Sequence, residues 1–573
     1  MDEILQNHKR LTEELAVGPC EIADQNFLIL SNWIYEVANM FKIRKQVIQH
    51  AIILYNNYLK VNQIMTMDEV TSKYVAASLY IAEIFAEGYM KEPGDYVYIS
   101  DKGFTEEEFI GAVGEMVTVL TGKIMIPPPY VILKEFSQLD ELSDQELRDG
   151  ADILTYALGF LEFHQLSSFE MALSTIFYIR IANGAKINEL SVWKWKYSDY
   201  LQEVSMLDCS ISNPLPQVFL KLKPFVSNYH NRYLIHKGFF GKVTKKNIKK
   251  VESVVKSPGN SIDVDANLEQ GGVLIGQGAY GTVMKFKRQG DQYVIKEQDY
   301  ISSIKEIGIM RSLKHPNIQT VLGFGFATLG SGTIKMPLKK GDLVVILGLK
   351  SQTKVVPIAK LRRRNFAKQL FAGLSCLHAN GIIHADIKPQ NLLVDENDHL
   401  VITDFGISEV FVPHSADIYF TTRDPVKATI KYRDPNLLEA IIANSACNYS
   451  FEIDVWSAGI VLLEMEMGRF LIEYKKYEEE QRLRYERLLQ NYGVTKGEEV
   501  PPAKRQQFYN EVNAPLITHE LEKYTLRQIE NNISNESVFN YFPQDKPFSL
   551  IMRKVLQQDK ELRVTSAQAY SSF

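Results

Sequence analysis

Apolar positions in the first 240 residues recur at helical spacing, segment after segment. Leu28–Ala38, Val47–Val61, Val70–Ala86, Glu106–Thr121, Tyr130–Phe136, Glu146–Phe160 and Ser168–Ile181 all carry the pattern. Periodicity alone predicts an all-α domain of antiparallel helices there. Beyond residue 270 the pattern changes. Gly272–Ile275 and Thr282–Lys287 read as strands around a glycine-rich turn, and Val294-Ile295-Lys296 ends a further strand. Apolar residues at 304, 307, 310 and 313 then mark one face of a helix over 301–313 that stops before His315-Pro316-Asn317-Ile318. Arg362–Ala379 reads as a long helix and Asp454–Ile460 as a buried one.

A chain of 573 residues exceeds what one core usually supports, so two or three domains are expected. A 45% hydrophobic content suits a globular protein. The formal net charge of −5 predicts no broad nucleic-acid affinity. Cys20, Cys209, Cys376 and Cys447 lie far apart, which predicts neither a disulfide framework nor a zinc site and fits a reducing compartment. No apolar run reaches the roughly 18 residues of a membrane span. Met1-Asp2-Glu3-Ile4-Leu5 is acidic and lacks the shape of a signal peptide. The expectation is an intracellular protein, cytoplasmic or nuclear, without a membrane partner.

The chemistry concentrates in His384-Ala385-Asp386-Ile387-Lys388-Pro389-Gln390-Asn391 and, after a strand-like stretch, Asp404-Phe405-Gly406. Asn391 follows Asp386 by five residues and Asp404 follows it by eighteen. Phosphoryl transfer asks a protein for a proton acceptor and for oxygen ligands that hold magnesium on phosphates. Upstream lies Gly276-Gln277-Gly278-Ala279-Tyr280-Gly281-Thr282-Val283. Glycines let a backbone lie close over phosphate oxygens. A lone Gly-x-Gly-x-x-Gly also serves dinucleotide folds, where a helix follows. Here a second strand follows, which favours a phosphate-covering hairpin.

Together these motifs resemble the eukaryotic protein kinases. The resemblance implies Asp386 as catalytic base, Lys388 as its companion in the serine/threonine class, and Asn391 and Asp404 as magnesium ligands. Lys296 would hold the α- and β-phosphates of ATP and Glu306 would hold Lys296. The nucleotide site would take Gly276, Gln277, Gly278, Ala279, Tyr280, Gly281, Val283, Val294, Lys296, Met336, Leu338 and Leu393, with ATP and Mg2+ as cofactors. Ser302-Ser303-Ile304-Lys305-Glu306 is similar to the signature helix of cyclin-dependent kinases, although only ten residues separate Lys296 from Glu306. Asp454 would hold the catalytic-loop backbone. Arg563 matches a late-lobe arginine whose usual glutamate partner is Asn436 here, with Glu439 as a possible substitute.

The helical half resembles a cyclin. Asn32–Ala38, Tyr55–Leu59 and Val75–Ala82 resemble a cyclin box, Glu115–Leu133 the passage to a second repeat, and Phe169–Thr175 that repeat. The fold class implied is multidomain: an all-α cyclin-like domain followed by a two-lobed α+β kinase domain. The expected boundaries are a cyclin-like domain at 1–235 (repeats at about 20–122 and 123–235), a linker at 236–268 and a kinase domain at 269–573, its lobes meeting at 338/339. The linker carries Lys242, Lys245, Lys246, Lys249, Lys250 and Lys256 and reads as solvated, with an import or anionic-partner patch as the sharper alternative. Extended, it would reach roughly 100 Å.

Departures from the cyclin pattern come in pairs. A kinase-gripping lysine and glutamate become Ile84 and Val113, and a buried arginine–aspartate pair becomes Phe27 and Asn56. Losing both members of a buried ion pair strands no charge, so the fold is expected to survive. A peptide-docking patch would fall on Ile29, Leu30 and Trp33, with core packing as the other duty of Trp33. In the kinase half, three phosphate-clamping arginines become Lys305, Ala385 and Glu409. The phosphorylated threonine position falls near Asp424, with Thr421 and Thr422 close by. Of two inhibitory sites in the glycine loop, Ala279 and Tyr280, one keeps its hydroxyl. The expected function is a serine/threonine kinase acting on protein substrates, activated in cis through an intramolecular cyclin–kinase contact and independent of activation-loop phosphorylation. The alternatives are a pseudokinase scaffold and a cyclin-like module that recruits partners.

Overall fold

The computed structural model describes residues 24–62, 72–86, 91–100, 103–140, 142–158, isolated positions between 164 and 179, 272–278, 281–288, 291–327, 330–348, 359–410, 429–445, 447, 449–492, 507–508, 511–512, 519–533, 542 and 545–573. The expected linker, most of the second helical repeat, Ala279, Tyr280, Thr421, Thr422 and Asp424 lie outside them. The chain forms two compact units. The first holds the residues up to Lys314 with Thr320–Leu338 and Val410–Ser415; the second holds His315–Gln319, Lys339–Glu409 and Ala416–Phe573.

Among the described residues, the first unit has the helices α1 (Asp24–Phe41), α2 (Lys45–Val61), α3 (Ser72–Ile84), α4 (Pro93–Ile99), α5 (Glu106–Val119), α6 (Pro129–Asp140) and α7 (Asp144–Ala157). Helix α3 is buried from Tyr74 to Ile84. A helix apolar all round belongs at the centre of a bundle, and α3 packs against both α2 and α5. Helix α5 starts where its sequence says it should. Thr105 accepts from the Glu108 amide while Glu108 accepts from the Thr105 amide, a reciprocal cap. Helix α4 escapes the periodicity because seven residues give barely two turns. Its signal is local: Glu92 and Asp95 form the same kind of cap around Pro93.

Phe27 and Asn56 are both buried. The Phe27 ring meets His164 edge-on at 5.1 Å. Of the residues expected in the docking patch, Leu30 is buried and Trp33 half-buried.

The same unit continues into an antiparallel sheet of β1 (Val273–Gly278), β2 (Gly281–Arg288), β3 (Asp291–Asp299), β4 (Gly323–Phe326) and β5 (Ser331–Pro337), ordered β1-β2-β3-β5-β4. Strand β3 runs three residues past Lys296 and passes straight into α8 (Tyr300–Ser312). Asp299 ends the strand and caps the helix, accepting from the Ser302 amide at 2.9 Å. This junction explains the short gap between Lys296 and Glu306: no loop separates strand from helix.

Helix α8 also packs on the helical bundle. Tyr300 donates its hydroxyl to the Ile110 carbonyl at 2.6 Å, and Arg311 Nε donates to the Thr121 carbonyl at 2.9 Å. Between them Gly308 faces the Phe85 ring and Ile124; a Cβ there would strike the ring. Thr121 and Gly122 both have positive φ, 53° and 72°. That left-handed turn brings the end of α5 so close that a Cβ on Gly122 would lie 2.7 Å from Ile307. Ile84 and Val113 are buried.

The second unit centres on α9 (Lys360–Ala379) and α11 (Glu452–Met467), with α10 (Pro435–Ile442) between them in sequence. A three-stranded sheet of β6 (Gly341–Asp342), β7 (Leu392–Val394) and β8 (Leu400–Ile402) lies in the same unit. Trp456 on α11 is fully buried, and the Arg563 guanidinium lies 5.1 Å from its ring centroid. Arg563 does not pair with Glu439. Its charged partner is Asp434, an ion pair buried on both sides. Asp434 also caps α10 by accepting from the Asn436 amide at 2.8 Å. Asp434 lies two residues before Asn436, the position where the resemblance placed the partner. The charged stretch after Tyr474 contains helices at Lys475–Asn491 and Glu520–Asn532.

Candidate functional site

Two constellations carry chemistry, one in each unit. In the first, Lys296 Nζ donates to Glu306 Oε2 at 2.7 Å, with the two side chains 9% and 0% exposed. Strand pairing sets their surroundings. Val283 lies opposite Lys296 across β2 and β3, and Val294 lies opposite Met336 across β3 and β5. Val294 and Met336 are buried, while Leu338 just past β5 is half-buried. The glycine hairpin pairs Gly276 with Val283, Gln277 with Thr282 and Gly278 with Gly281. Gly281 has φ of 136° and a Cβ on it would strike the Glu297 carbonyl, so no side chain fits there.

In the second unit the loop at 384–391 hangs from α11. Asp454 accepts from the His384 amide at 2.7 Å and from the Ala385 amide at 2.9 Å, as expected of it. Its carboxylate also meets His378 Nε2 at 3.0 Å. Ala385 is held at φ 66° and Asp404 at φ 72°. Non-glycine residues pay for that backbone, and it persists where surrounding bonds over-determine it. Phe405 is fully buried with its ring 5.1 Å from that of His384.

Asp386 is the hub. Its Oδ2 accepts from Lys388 Nζ at 2.5 Å and from Asn391 Nδ2 at 3.1 Å. Its Oδ1 accepts from the Thr429 amide at 3.0 Å and the Thr429 hydroxyl at 2.7 Å. Lys388 reaches Thr429 Oγ1 as well, at 3.1 Å. Burial pushes the Asp386 pKa up, but Lys388 and the Thr429 donors outweigh it and the net shift is downward. Asp386 therefore stays ionised. From sequence, Thr429 opens Thr429–Pro435, a stretch that resembles the end of an activation segment, but nothing in the sequence pairs it with Asp386.

The donor set fits a hard cation. Asn391 Nδ2 donates also to the Asp386 carbonyl at 2.9 Å. The Asn391 amide oxygen and the Asp404 carboxylate are the oxygen ligand types that magnesium prefers and would be the residues to hold it. Leu393 lies on β7, opposite Val401.

Two of the three positions expected from sequence to have replaced clamp arginines, Ala385 and Glu409, have defined partners. Glu409 accepts from the Tyr449 hydroxyl at 2.9 and 3.1 Å. The Ala385 amide is engaged by Asp454, as above. No helix among the described residues is long and apolar enough to cross a membrane.

Comparison with known proteins agrees with this geometry. The family model for the protein kinase domain matches residues 270–572, and that for the cyclin N-terminal domain matches residues 5–125. The chain is 30% identical over 250 residues to the CTD kinase subunit alpha of Saccharomyces cerevisiae, covering 42% of this chain and 43% of that protein. It is 33% identical over 215 residues to the protein kinase gsk31 of Schizosaccharomyces pombe, covering 34% and 51%. It is 30% identical over 217 residues to the mitogen-activated protein kinase spk1 of the same yeast, covering 36% and 55%. The chain spans about half the length of the curated relatives it matches.

Proposed function

Because the chain belongs to the protein kinase family, we propose that it transfers the γ-phosphate of ATP to serine or threonine hydroxyls of protein substrates. The observation that carries this reading is the web on Asp386: a buried, ionised carboxylate held by Lys388, Thr429 and Asn391. A base in that state accepts a hydroxyl proton, and the neighbouring ammonium of Lys388 offsets developing negative charge. Lys296, fixed by Glu306, positions the α- and β-phosphates. Asn391 and Asp404 would hold magnesium, which when bound neutralises phosphate charge. The direct test is a peptide array with Mg·ATP and the whole chain. Phosphoserine or phosphothreonine should appear, and Asp386→Asn should abolish it. Nucleotide binding without transfer to any substrate would favour the scaffold reading.

The second part of the proposal is activation in cis. The contacts of Tyr300, Gly308 and Arg311 support it, since they clamp the helix that carries Glu306. The apolar character at Ile84 and Val113 suits a tethered partner, whose effective concentration is on the order of millimolar. The third part is independence from activation-loop phosphorylation. A phosphate there would lack the second and third arginines and would meet Glu409. Tyr449 holds that carboxylate instead.

A further inference from the structure

We propose that Gln298 is a positioning residue for phosphoryl transfer: it is the second anchor of Glu306, holding that carboxylate where Lys296 needs it. The inference rests on the kinase reading of the Lys296–Glu306 pair and adds to it a residue that no motif supplies.

Gln298 follows Lys296 by two positions on β3, and side chains two apart on a strand share a face. Both therefore point at α8. Gln298 is 4% exposed. Its Nε2 donates to Glu306 Oε2 at 2.7 Å, the same oxygen and the same distance that Lys296 Nζ uses. Glu306 is fully buried, and its Oε1 has no hydrogen-bond partner among the described residues. The carboxylate is thus held through one oxygen by two donors, one charged and one neutral.

The two donors are not equivalent during turnover. The Lys296 ammonium is the group that phosphates compete for. When it turns toward a nucleotide, its grip on Glu306 weakens. The Gln298 amide has no such competitor, so it keeps Oε2 in place. A buried carboxylate with a single, shared donor would be free to rotate and would let the ammonium wander.

The backbone reinforces this role. Strand β3 enters α8 without a loop, capped by Asp299, and Ser303 Oγ donates back to the Asp299 carbonyl at 2.9 Å. Gln298 sits at that junction. It ties the last residues of the strand to the second turn of the helix, so strand and helix deliver Lys296 and Glu306 as one piece.

The test uses the full chain and a double-mutant cycle with Gln298→Met, which keeps length but cannot donate. Phosphate transfer is read as kcat and KM for Mg·ATP, with thermal melting as the control for folding. The expected result for Gln298→Met is a fall in kcat of about tenfold with KM within about twofold. On a Glu306→Gln background the same change should lower kcat by less than about twofold, because the group it acts through is already altered. Equal losses on both backgrounds, or no loss on either, would overturn the proposal. Should Gln298→Met not fold, Gln298→Asn, polar but too short to reach Glu306, is read by the same criteria. A wild-type chain that binds Mg·ATP and transfers nothing would remove the kinase reading itself; an active wild type with an unaffected Gln298 variant would remove this inference alone.

Discussion

At Asp386, burial and charge pull in opposite directions and charge wins. Its carboxylate is almost fully enclosed yet held below the ordinary range, because Lys388 and two Thr429 donors favour the ionised form. A base acts only above its pKa, so this depression keeps the site competent down to acid pH. Lys388→Met removes the main charge and leaves desolvation in command. The Asp386 pKa should rise, and the acid limb of kcat/KM should move to higher pH together with a lower plateau. A pH–rate profile of the variant checks this; an unmoved acid limb would mean that Lys388 does not set the ionisation. Asp386→Asn, Asp404→Asn and Lys296→Met should each lower kcat by orders of magnitude while melting behaviour stays near wild type. Single-turnover assays beside thermal melts separate the two effects. These residues were legible in the sequence because their chemistry demands fixed types at fixed spacings. The roles of Thr429 and Gln298 were not, since each acts through hydrogen bonds that any threonine or glutamine could offer.

Among the elements, α8 decides most. Its identity could be read from apolar positions 304, 307, 310 and 313 and from Glu306. The direct entry from β3 could not, because Asp299 looks like any loop aspartate until its cap on Ser302 is seen. The partner of Arg563 was misplaced for a similar reason: Asp434 sits two residues before the expected position and only the fold shows the reach. Asp434→Ala should leave a buried guanidinium without its counter-charge and cost about 3–5 kcal/mol, read by denaturant unfolding. At the bundle face, Gly308 marks the closest approach of α8. Gly308→Leu should force α8 away from Phe85 and Ile124 and lower activity at least about tenfold while leaving the bundle folded. Circular dichroism and rate measurements on one sample decide it, and an active Gly308→Leu chain would exclude tight docking as a requirement. The helices of the bundle were legible from periodicity except α4, too short to show a period and marked only by its caps.

On the scale of the whole molecule, the proposal is that the chain carries its activating partner and needs no activation-loop phosphate. Phosphatase treatment, or Thr421→Ala with Thr422→Ala, should leave most activity intact; losing it would reveal a clamp built from other residues. Acid offers a second handle on the bundle. His50 is buried against the Ile124 carbonyl, and desolvation lowers its pKa to about 4. The unfolded chain takes up that proton near 6.5. Stability from this group is therefore complete above about pH 6.5 and falls as pH drops toward 4, by a few kcal/mol at most. Because Ile124 also lines the seat of Gly308, His50→Gln should flatten the acid dependence of melting. The central claim is that residues 1–240 switch on the kinase they are joined to. The measurement is the initial rate of phosphate transfer by a chain beginning at Ser261, alone and with residues 1–240 added in trans, against the full chain. The account predicts a weak rate alone and recovery toward the full-chain rate on addition. Equal rates for the shortened and full chains would contradict it.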